Sequence, residues 1–344
     1  MKHQDILSLT LEQLTQTILT YDQPKYRAKQ IYGWLHKNMV TSFEEMANIP
    51  KLLRGILCNN FYIPAPVALK KLKSSDESIK HLLNFKNNTI IETVLLKSSY
   101  GYTICVSTQA GCKMGCTFCA SQEKGFKRNL TAGEILAQVY HIQRELDKKI
   151  SNIVIMGIGE PLDNYPASVA FIRILSSPEG LNLSQRSITI STCGLVDKIY
   201  DLAKEELQVT LAISINAGDN AKRKEIMPIA KKYTIEQLIE AAEYYFKKTK
   251  RRVSYEYVLI KNVNDAKEQA LSLSKKLART SSHVNLIPLN YVVGGEYSRS
   301  EDEKIKEFAK ILQKSNISTT IRISKGQDID AACGQLRNIS FPLT

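Results

Sequence analysis

The sequence predicts an α/β protein in which helices cover a parallel sheet and a helical module precedes it. The main observation is that short runs rich in β-branched residues alternate with helical segments from Thr103 onward. Repeated units of this length are typical of a parallel sheet with helices outside it, either an open doubly wound sheet or a complete or partial barrel. In each of these folds, ligands bind at the carboxyl ends of the strands. The length of 344 residues accommodates such a core together with accessory segments.

Three stretches follow one another along the chain. Residues 1–62 have apolar side chains at helical spacing, interrupted at Pro24 and Pro50, and predict a helical accessory domain. Residues 63–100 contain the turn-forming KNN between ALKKLKSSDESIKHLLNF and TIIETVLL, and predict a linking β-hairpin. Residues 101–344 form the predicted core, with the strands TICVS, NIVIM, SITIS, VTLAIS, SYEYVLI, HVNLI and TTIRIS. Its predicted helices lie near residues 131–148, 166–176, 196–206, 234–248, 265–279 and 302–315.

Composition, net charge and hydropathy limit the classes of function that this chain can have. Hydrophobic residues make up 43% of the chain and charged residues 24%, so it can bury a core and is not largely disordered. The formal net charge of +13 favours a polyanionic partner, above all nucleic acid. No run approaches the roughly 18 apolar residues of a membrane-spanning helix, and Asp5 stands where a signal peptide has its apolar run. We therefore expect a cytoplasmic protein.

The strongest chemical signal is a group of cysteines just after the first predicted core strand. Cys112, Cys116 and Cys119 have the spacing C-x3-C-x2-C. Thiolates bind iron-sulfur clusters, and a 4Fe-4S cluster needs four ligands, so this motif leaves one iron open to a small molecule. Zinc is the alternative, and it needs a fourth Cys or His. Cys105 is close in sequence, but we expect its strand to hold it away from the loop.

Polar residues recur at the ends of the predicted strands. After the second core strand, Gly159 allows a ligand to approach the backbone, and Glu160 can accept a hydrogen bond from an ammonium group. Alone, this segment is typical of a tight turn with a solvated acid, but beside the cysteine group it favours a ligand site. Other polar residues at strand ends are Ser191, Ser214, Asn216 and Asn290. A T-x-x-E capping box at Thr131–Glu134 predicts the helix that follows the cysteine loop.

The remaining cysteines differ in their surroundings. Cys333 lies among small residues in DAACGQ, beyond the last predicted strand, where its sulfur is expected to be accessible. Cys105, taken alone, is typical of a buried cysteine in a strand. Cys58 and Cys193 carry no functional signal of their own.

These residues together resemble the RlmN/Cfr family of radical S-adenosylmethionine RNA methyltransferases along nearly the whole chain. The resembling segments are YRAKQIYGWL (26–35), IETVLL (91–96), CVSTQAGCKMGCTFCASQEKGFKRNLTAGEI (105–135), GIGEPLDN (157–164), SITISTCG (187–194), EIMPI (225–229), VNLIPLN (284–290) and DIDAACGQL (328–336). The resemblance implies a partial (β/α)6 barrel with an N-terminal helical accessory domain suited to RNA. It implies one 4Fe-4S cluster and two S-adenosylmethionine molecules per turnover. We also expect a flavodoxin-type reductant and a monomeric enzyme. The implied substrates are 23S rRNA and tRNA, methylated at C2 of an adenine.

The resemblance also implies a role for each site residue. Cys333 would take a methyl group from one S-adenosylmethionine, and a radical derived from a second would activate that methyl group for addition to C2. Cys105 matches the position that forms a transient disulfide with Cys333, and Glu92 matches the proton acceptor. Cys112, Cys116 and Cys119 match the cluster ligands. The positions that match cofactor-binding residues are Gly159, Glu160, Ser191, Ser214, Ile215, Asn216 and Asn290.

Two departures and three alternatives accompany this interpretation. Asn216 replaces the usual family histidine and cannot titrate near neutral pH, and Cys193 replaces a usual serine. One alternative is methylation at C8, as in the Cfr branch, although Pro161 resembles the C2 branch. Another is a non-catalytic iron-sulfur RNA-binding factor, against which Cys333 argues, and the third is a radical enzyme acting on a small molecule or protein.

Candidate phosphate contacts are Lys70, Lys71 and Lys73, Lys124, Lys127 and Arg128, Lys222–Lys224 and Lys247–Arg252.

Overall fold

A ten-stranded mixed sheet lies at the centre of the computed structural model, which describes residues 3–86, 88–99, 101–278, 280 and 282–337. The strands in chain order are β1 (Gln4–Asp5), β2 (Phe61–Tyr62), β3 (Val67–Lys73), β4 (Ile79–Phe85), β5 (Thr89–Ser98), β6 (Gly101–Cys105), β7 (Gln109–Ala110), β8 (Arg128–Asn129), β9 (Asn152–Ile155), β10 (Ile188–Thr192), β11 (Thr210–Ser214), β12 (Val253–Leu259), β13 (Ser282–Pro288) and β14 (Ser318–Ile321). The helices are α1 (Leu11–Leu19), α2 (Tyr26–His36), α3 (Lys51–Asn60), α4 (Ala132–Gln143), α5 (Tyr165–Leu175), α6 (Val196–Lys204), α7 (Asn220–Ile226), α8 (Ile235–Thr249), α9 (Lys267–Leu277) and α10 (Asp302–Lys314). In the described part of the chain, no helix combines the length and the apolar composition needed to cross a bilayer.

Seven adjacent strands of the central sheet run parallel, in the order β6-β9-β10-β11-β12-β13-β14. The connections between them contain α4, α5, α6, the pair α7 and α8, α9, and α10. Six β/α units therefore form the wall of a partial barrel, and β14 is its edge strand. The predicted partial (β/α)6 fold is confirmed, and each predicted core strand run overlaps an observed strand. The short helix α7 is not predicted, because its sequence NAKRKEI has little apolar periodicity.

The linking segment is predicted as a β-hairpin. β4 and β5 form such an antiparallel pair, and the structure adds a third strand, β3, so that three strands extend the barrel sheet. β5 pairs antiparallel with β6, β4 pairs with β5, and β3 pairs with β4. The additional strand exists because residues 74–78 form a tight turn, in which the Ser74 N–H donates to the Ser78 carbonyl at 2.8 Å. β3 is an exposed edge rich in lysine, which opposes pairing with a strand of another chain.

The N-terminal helices pack on the barrel at the beginning of α4. The predicted capping box is confirmed, because Thr131 Oγ1 accepts from the Glu134 N–H at 3.1 Å and Glu134 Oε2 accepts from the Thr131 N–H at 2.9 Å. Asp5 Oδ2 accepts from the Thr131 hydroxyl at 2.5 Å, and Ser8 Oγ accepts from the Gly133 N–H at 2.8 Å. The helix that follows the cysteine loop is thereby tied to the N-terminal segment.

Candidate active site

A cavity of about 600 Å³ lies along the inner face of the parallel strands and reaches the cysteine loop. This volume is within the usual range of small-molecule sites. Most of the predicted site residues line it, namely Cys105, Cys112, Cys116, Cys119, Gly159, Glu160, Ser191, Ser214, Asn216, Asn290 and Cys333. Of the predicted site residues, all of which the structure describes, Glu92 and Ile215 lie outside its lining.

The three cysteines of the C-x3-C-x2-C motif lie on a loop whose two ends are joined by β7 and β8. The pairing of Ala110 with Arg128 closes this loop beside the barrel. Cys112, Cys116 and Cys119 are free thiols, and burial raises the pKa of each, that of Cys112 to about 12. A bound metal must therefore replace a proton at each sulfur.

The arrangement of these sulfurs suits an iron-sulfur cluster better than a single zinc ion. Sulfur ligands of one zinc ion lie within about 4 Å of one another, because each Zn–S bond is about 2.3 Å long. In the described part of the chain, the sulfurs of Cys112, Cys116 and Cys119 do not all lie within 4.8 Å of one another. A 4Fe-4S cluster attaches each cysteine to a different iron, which accommodates separated sulfurs. Three cysteines leave the fourth iron for a ligand from the cavity.

Glu160 places a buried carboxylate at the edge of the same cavity. Its Oε2 accepts from the Cys193 N–H at 2.7 Å, and its Oε1 accepts from the Leu162 N–H at 3.0 Å. Burial raises the pKa of Glu160, and these hydrogen bonds oppose the shift. Each oxygen retains a lone pair, so the carboxylate can accept from a ligand ammonium group. Gly159 has a φ of +107°, and a Cβ there would lie 2.6 Å from Gln109 Cβ, so glycine is required at this turn.

Asn216, which departs from the usual family histidine, links the ends of two strands. Its φ is 54°, in the left-handed region that asparagine tolerates. Its Oδ1 accepts from the Val258 N–H at 2.8 Å, and its carbonyl accepts from Asn264 Nδ2 at 2.8 Å. Asn216 is therefore a neutral part of the cavity wall and brings no titrating group to this position.

Cys333 lies on a loop after β14 and lines the cavity, where the residue is open to solvent while the protein around its sulfur partly desolvates the thiol. Two hydrogen bonds fasten this loop to the end of the cysteine loop. The Ala120 N–H donates to the Gly334 carbonyl at 2.8 Å, and the Ser121 hydroxyl donates to the Leu336 carbonyl at 2.9 Å. The position of Cys333 is thus fixed relative to the three loop cysteines.

Cys105 lies beside the same loop, at the end of β6. It packs with Ala331 and Leu336, which lie on either side of Cys333 in the sequence. Burial raises the pKa of the Cys105 thiol, and the nearby Cys333 raises it further. Asn290 Nδ2 donates to the Cys333 carbonyl at 3.0 Å and so holds the loop from the β13 side. The structure therefore places Cys105 beside the loop that carries Cys333, and both residues line the same cavity.

Glu92 is 1% exposed and is tied to both ends of the Cys333 loop. Its Oε1 lies 3.0 Å from Lys80 Nζ, and its Oε2 accepts from the Arg337 N–H at 2.7 Å. Lys80 Nζ also donates to the Asp330 carbonyl at 2.9 Å. Burial raises the pKa of Glu92, and the ammonium group of Lys80 lowers it.

Comparison with known proteins identifies the family. Residues 106–273 match the model of the radical SAM superfamily, and residues 4–63 match that of the ribosomal RNA large subunit methyltransferase N-terminal domain. Two proteins called probable dual-specificity RNA methyltransferase RlmN, from Clostridium tetani and Clostridium perfringens, are each 49% identical to this chain. Each alignment covers 97% of this chain, with 95% of the first protein and 96% of the second. The chain belongs to the RlmN family of radical S-adenosylmethionine RNA methyltransferases.

A solved structure matches the fold over nearly the whole chain. A solved radical SAM methyltransferase from Sphaerobacter thermophilus superposes with a TM-score of 0.94 at 40% sequence identity, covering 98% of this chain and 100% of that chain. As an RlmN-family enzyme, the protein uses a 4Fe-4S cluster and S-adenosylmethionine, and its substrate is RNA.

Two residues of this RlmN-family cavity are not among the predicted site residues. Cys193 lines the cavity and packs with Met114 and Cys116 of the cysteine loop, so it is part of the cluster environment. Its position two residues after Ser191 is the signal that could have indicated this. Arg322 also lines the cavity, and its charge lowers the pKa of Cys333 against the raising effect of burial.

Three sequence interpretations are corrected by the structure. Arg223, inside a predicted phosphate-binding cluster, is 0% exposed and donates to the Cys193 carbonyl at 2.7 Å and the Ile215 carbonyl at 3.1 Å. Ile215 is itself in the core and lies outside the cavity lining, so its side chain supports the cavity wall. Arg128 makes two 2.7 Å hydrogen bonds to the Glu134 carboxylate, so its charge is already matched. Sequence charge alone does not show these partners.

Proposed function

We propose that this enzyme methylates C2 of a specific adenine of 23S rRNA, in the peptidyl transferase centre, and of the adenine adjacent to the anticodon in tRNAs. The observation that carries the proposal is that Cys333, Cys105 and the three loop cysteines line one cavity. A purely structural cluster has no use for two further thiols beside it, whereas a methyl carrier with a disulfide partner needs both. The names of the clostridial relatives support two kinds of RNA substrate.

The cavity is proposed to hold the cluster and S-adenosylmethionine side by side. Cys112, Cys116 and Cys119 would hold the 4Fe-4S cluster, which supplies the electron for reductive cleavage of S-adenosylmethionine when bound. Glu160 is suited to the ammonium group of the methionine moiety. The proposed contacts to S-adenosylmethionine are Gly159, Glu160, Ser191, Ser214, Asn216 and Asn290, all of which line the cavity. Of these, Asn290 also holds the Cys333 loop.

Cys333 is proposed to carry the methyl group. Its sulfur attacks the methyl carbon of one S-adenosylmethionine, so a C–S bond forms on Cys333 while the methyl–sulfonium bond breaks. S-adenosylhomocysteine leaves, and the thiol proton is lost to solvent. Transfer through Cys333 is needed because adenine C2 is an electron-poor carbon and does not act as a nucleophile toward a methyl sulfonium. The S-methyl group on Cys333 then loses one hydrogen atom to the radical that a bound cluster would generate from a second S-adenosylmethionine. The resulting carbon radical on Cys333 adds to C2.

Product release is proposed to use Cys105 and Glu92. Glu92 takes the proton from C2, and the adduct radical gives up one electron, which a bound cluster would accept. Cys105 loses its proton, and its sulfur attacks the Cys333 sulfur. An S–S bond forms, the bond between Cys333 and the transferred carbon breaks, and that carbon leaves with the electron pair and gains a proton. The close packing of Cys105 against the Cys333 loop supports this pairing.

The other segments are proposed to serve RNA binding and electron supply. Residues 1–62 form the proposed accessory domain, and Tyr26 and Leu52 expose large side chains on α2 and α3 that suit contact with RNA bases. Residues 63–100 connect this domain to the core at 101–344. We propose a monomer that receives electrons from a flavodoxin-type protein and works in the cytoplasm, where its RNA substrates are found.

The test is mass spectrometry of 23S rRNA and tRNA from a strain that lacks the activity and is complemented with this gene. We expect 2-methyladenosine in both RNAs. Cys333→Ala should abolish it, whereas Cys58→Ala, at an exposed cysteine of α3, should leave it unchanged. The appearance of 8-methyladenosine, or methylation that persists in Cys333→Ala, would contradict the proposal.

A further inference from the structure

Three side chains with metal-binding atoms converge between β4 and α4, outside the active-site cavity. His81 lies on β4, His141 lies on α4, and Glu145 follows one helical turn after His141. One ligand atom from each residue lies within 4.8 Å of the others. We propose that these three residues bind one divalent transition metal ion of the Zn²⁺ type, at a site separate from the iron-sulfur cluster.

The unpaired ring nitrogens of the two histidines are an independent observation that points to a ligand. His81 is 1% exposed, and neither of its ring nitrogens has a hydrogen-bond partner in the described part of the chain. His141 Nε2 also has no such partner there, and it lies 3.7 Å from Glu145 Oε1. Buried polar atoms are nearly always paired, because an unpaired one loses its hydration without compensation. A bound metal ion would occupy the unused lone pairs.

The distances are compatible with a metal ion after a small adjustment. Three atoms at the corners of a triangle with sides of 4.8 Å lie about 2.8 Å from its centre. Zinc bonds to nitrogen and oxygen are about 2.0–2.2 Å long, so each ligand atom has to move by less than about 1 Å. Rotation of the Glu145 and His141 side chains can supply this movement, because both are partly exposed.

An ion pair with Lys71 engages one carboxylate oxygen of Glu145 and leaves the other oxygen free to bind the ion. Lys71 Nζ lies 2.5 Å from Glu145 Oε2, which leaves Oε1 to face His141. Such an outer partner fixes the orientation of a ligating carboxylate. The Glu145 side chain is 37% exposed, so an ion can enter from solvent and a water molecule can complete the tetrahedron. A set of two imidazoles, one carboxylate and water suits Zn²⁺.

The proposed ion would connect the added strands to the barrel. It would fasten β4 to α4, which follows the cysteine loop in the sequence. Lys80, the neighbour of His81 on β4, holds Glu92 and the Asp330 carbonyl. Adjacent residues of a strand point to opposite faces. The ion would therefore hold one face of β4, and the ion pair of Lys80 with Glu92 would hold the other.

The experiment is a Zn²⁺ titration of the cluster-loaded protein, kept free of oxygen, by calorimetry and by metal analysis after dialysis. We expect one Zn²⁺ per chain in addition to the cluster iron. His141→Ala and Glu145→Gln should each weaken binding at least about tenfold, whereas His283→Ala, at a histidine of β13, should not change it. The partly exposed positions of His141 and Glu145 keep these variants foldable, and circular dichroism verifies this.

Co²⁺ serves as a spectroscopic probe of the ligand set. Nitrogen and oxygen ligands give visible d–d bands without the intense near-ultraviolet thiolate charge-transfer band, and we expect this spectrum. A thiolate band would place the ion on cysteines and overturn the proposal. So would absence of Zn²⁺ binding by the wild-type protein, or binding that His141→Ala and Glu145→Gln leave intact.

Discussion

At the scale of single residues, Glu92 is a buried carboxylate whose charge is matched by the ammonium group of Lys80, 3.0 Å away. We predict that Lys80→Met destabilises the protein by about 3–5 kcal/mol, because it leaves an uncompensated buried charge. The loss should shrink as the pH is lowered, since a protonated Glu92 is neutral. Urea unfolding at several pH values measures both effects.

A matched surface pair and a double variant control this prediction. Lys97 pairs with Glu77 at 2.7 Å, but both side chains are about half exposed, so Lys97→Met should cost less than about 1 kcal/mol. Lys80→Met combined with Glu92→Leu should recover most of the stability, because an apolar pair can replace a buried ion pair. Equal losses in Lys80→Met and Lys97→Met would contradict the account.

The same variant also tests the proposed role of Glu92 as a base. A cation favours the charged carboxylate, so loss of Lys80 raises the pKa of Glu92 further. The base would then be ionised only at higher pH. We predict that the acid limb of the methylation pH profile moves upward in Lys80→Met, measured on an RNA fragment in single turnover. An unmoved acid limb with reduced activity would assign Lys80 a structural role only.

Arg322 is expected to control the reactivity of Cys333. Burial raises the pKa of Cys333, and the Arg322 guanidinium lowers it, so Arg322→Gln should raise it. The pH profile of Cys333 alkylation by iodoacetamide, followed by mass spectrometry, should move to higher pH, and Arg322→Lys should partly restore it. Arg186→Gln removes another arginine of the cavity lining and should leave the profile unmoved. Equal shifts in Arg186→Gln and Arg322→Gln would show a general charge effect.

The residues that the sequence predicted at the site are those whose chemistry depends on residue type and spacing. The chemistry of three cysteines in a short loop, or of Gly159 and Glu160 at a strand end, follows from residue type and position in the sequence. Arg223 and Cys193 are different, because their roles depend on neighbours supplied by other strands. The net charge likewise indicates RNA, but it does not show which arginines are already paired within the fold.

At the scale of elements, the start of α4 joins the N-terminal segment to the barrel. Gly133 lies against Asp5, and a Cβ at position 133 would lie 2.3 Å from Asp5 Oδ2. We predict that Gly133→Ala destabilises the protein by about 1–3 kcal/mol, because it must displace a carboxylate that binds Thr131 and Ser8. The midpoint of urea unfolding measures this.

Gly33 in α2 provides the matched control. A Cβ at Gly33 would meet no heavy atom within 4 Å. Gly33→Ala should therefore stabilise the protein by about 0.4–1 kcal/mol, since alanine favours the helix and restricts the unfolded chain. A destabilised Gly33→Ala, or an unaffected Gly133→Ala, would show that space at these glycines does not decide the outcome.

The elements of the barrel were predictable because each carries its own periodicity. The core strands are β-branched and the intervening helices are amphipathic, so both patterns are local. The linking segment was less clear, because the turn between β3 and β4 lies inside one polar stretch. Its antiparallel pairing to β6 depends on the register of β5, which places Val94 opposite Cys105 and is not visible in either strand alone.

At the scale of the whole molecule, the accessory helices and the barrel share one apolar core. It includes Leu14 and Ile31 from the N-terminal helices, Leu136 from α4 and Phe171 from α5. Removing either part would expose the apolar surface of the other, at about 25 cal/mol for each Å². Neither part is therefore expected to unfold while the other remains folded, although the sequence suggests two modules.

This shared core can be tested by two probes of unfolding. Trp34 is the single tryptophan and lies in α2, so its fluorescence reports the N-terminal helices, whereas far-ultraviolet circular dichroism reports the whole chain. We predict that both signals change at the same urea concentration, because packing against α4 and α5 couples the two parts. Gly133→Ala should shift both midpoints together. Fluorescence that changes before circular dichroism would show that the accessory helices detach first and that the contacts of Asp5 and Ser8 with the start of α4 are weak.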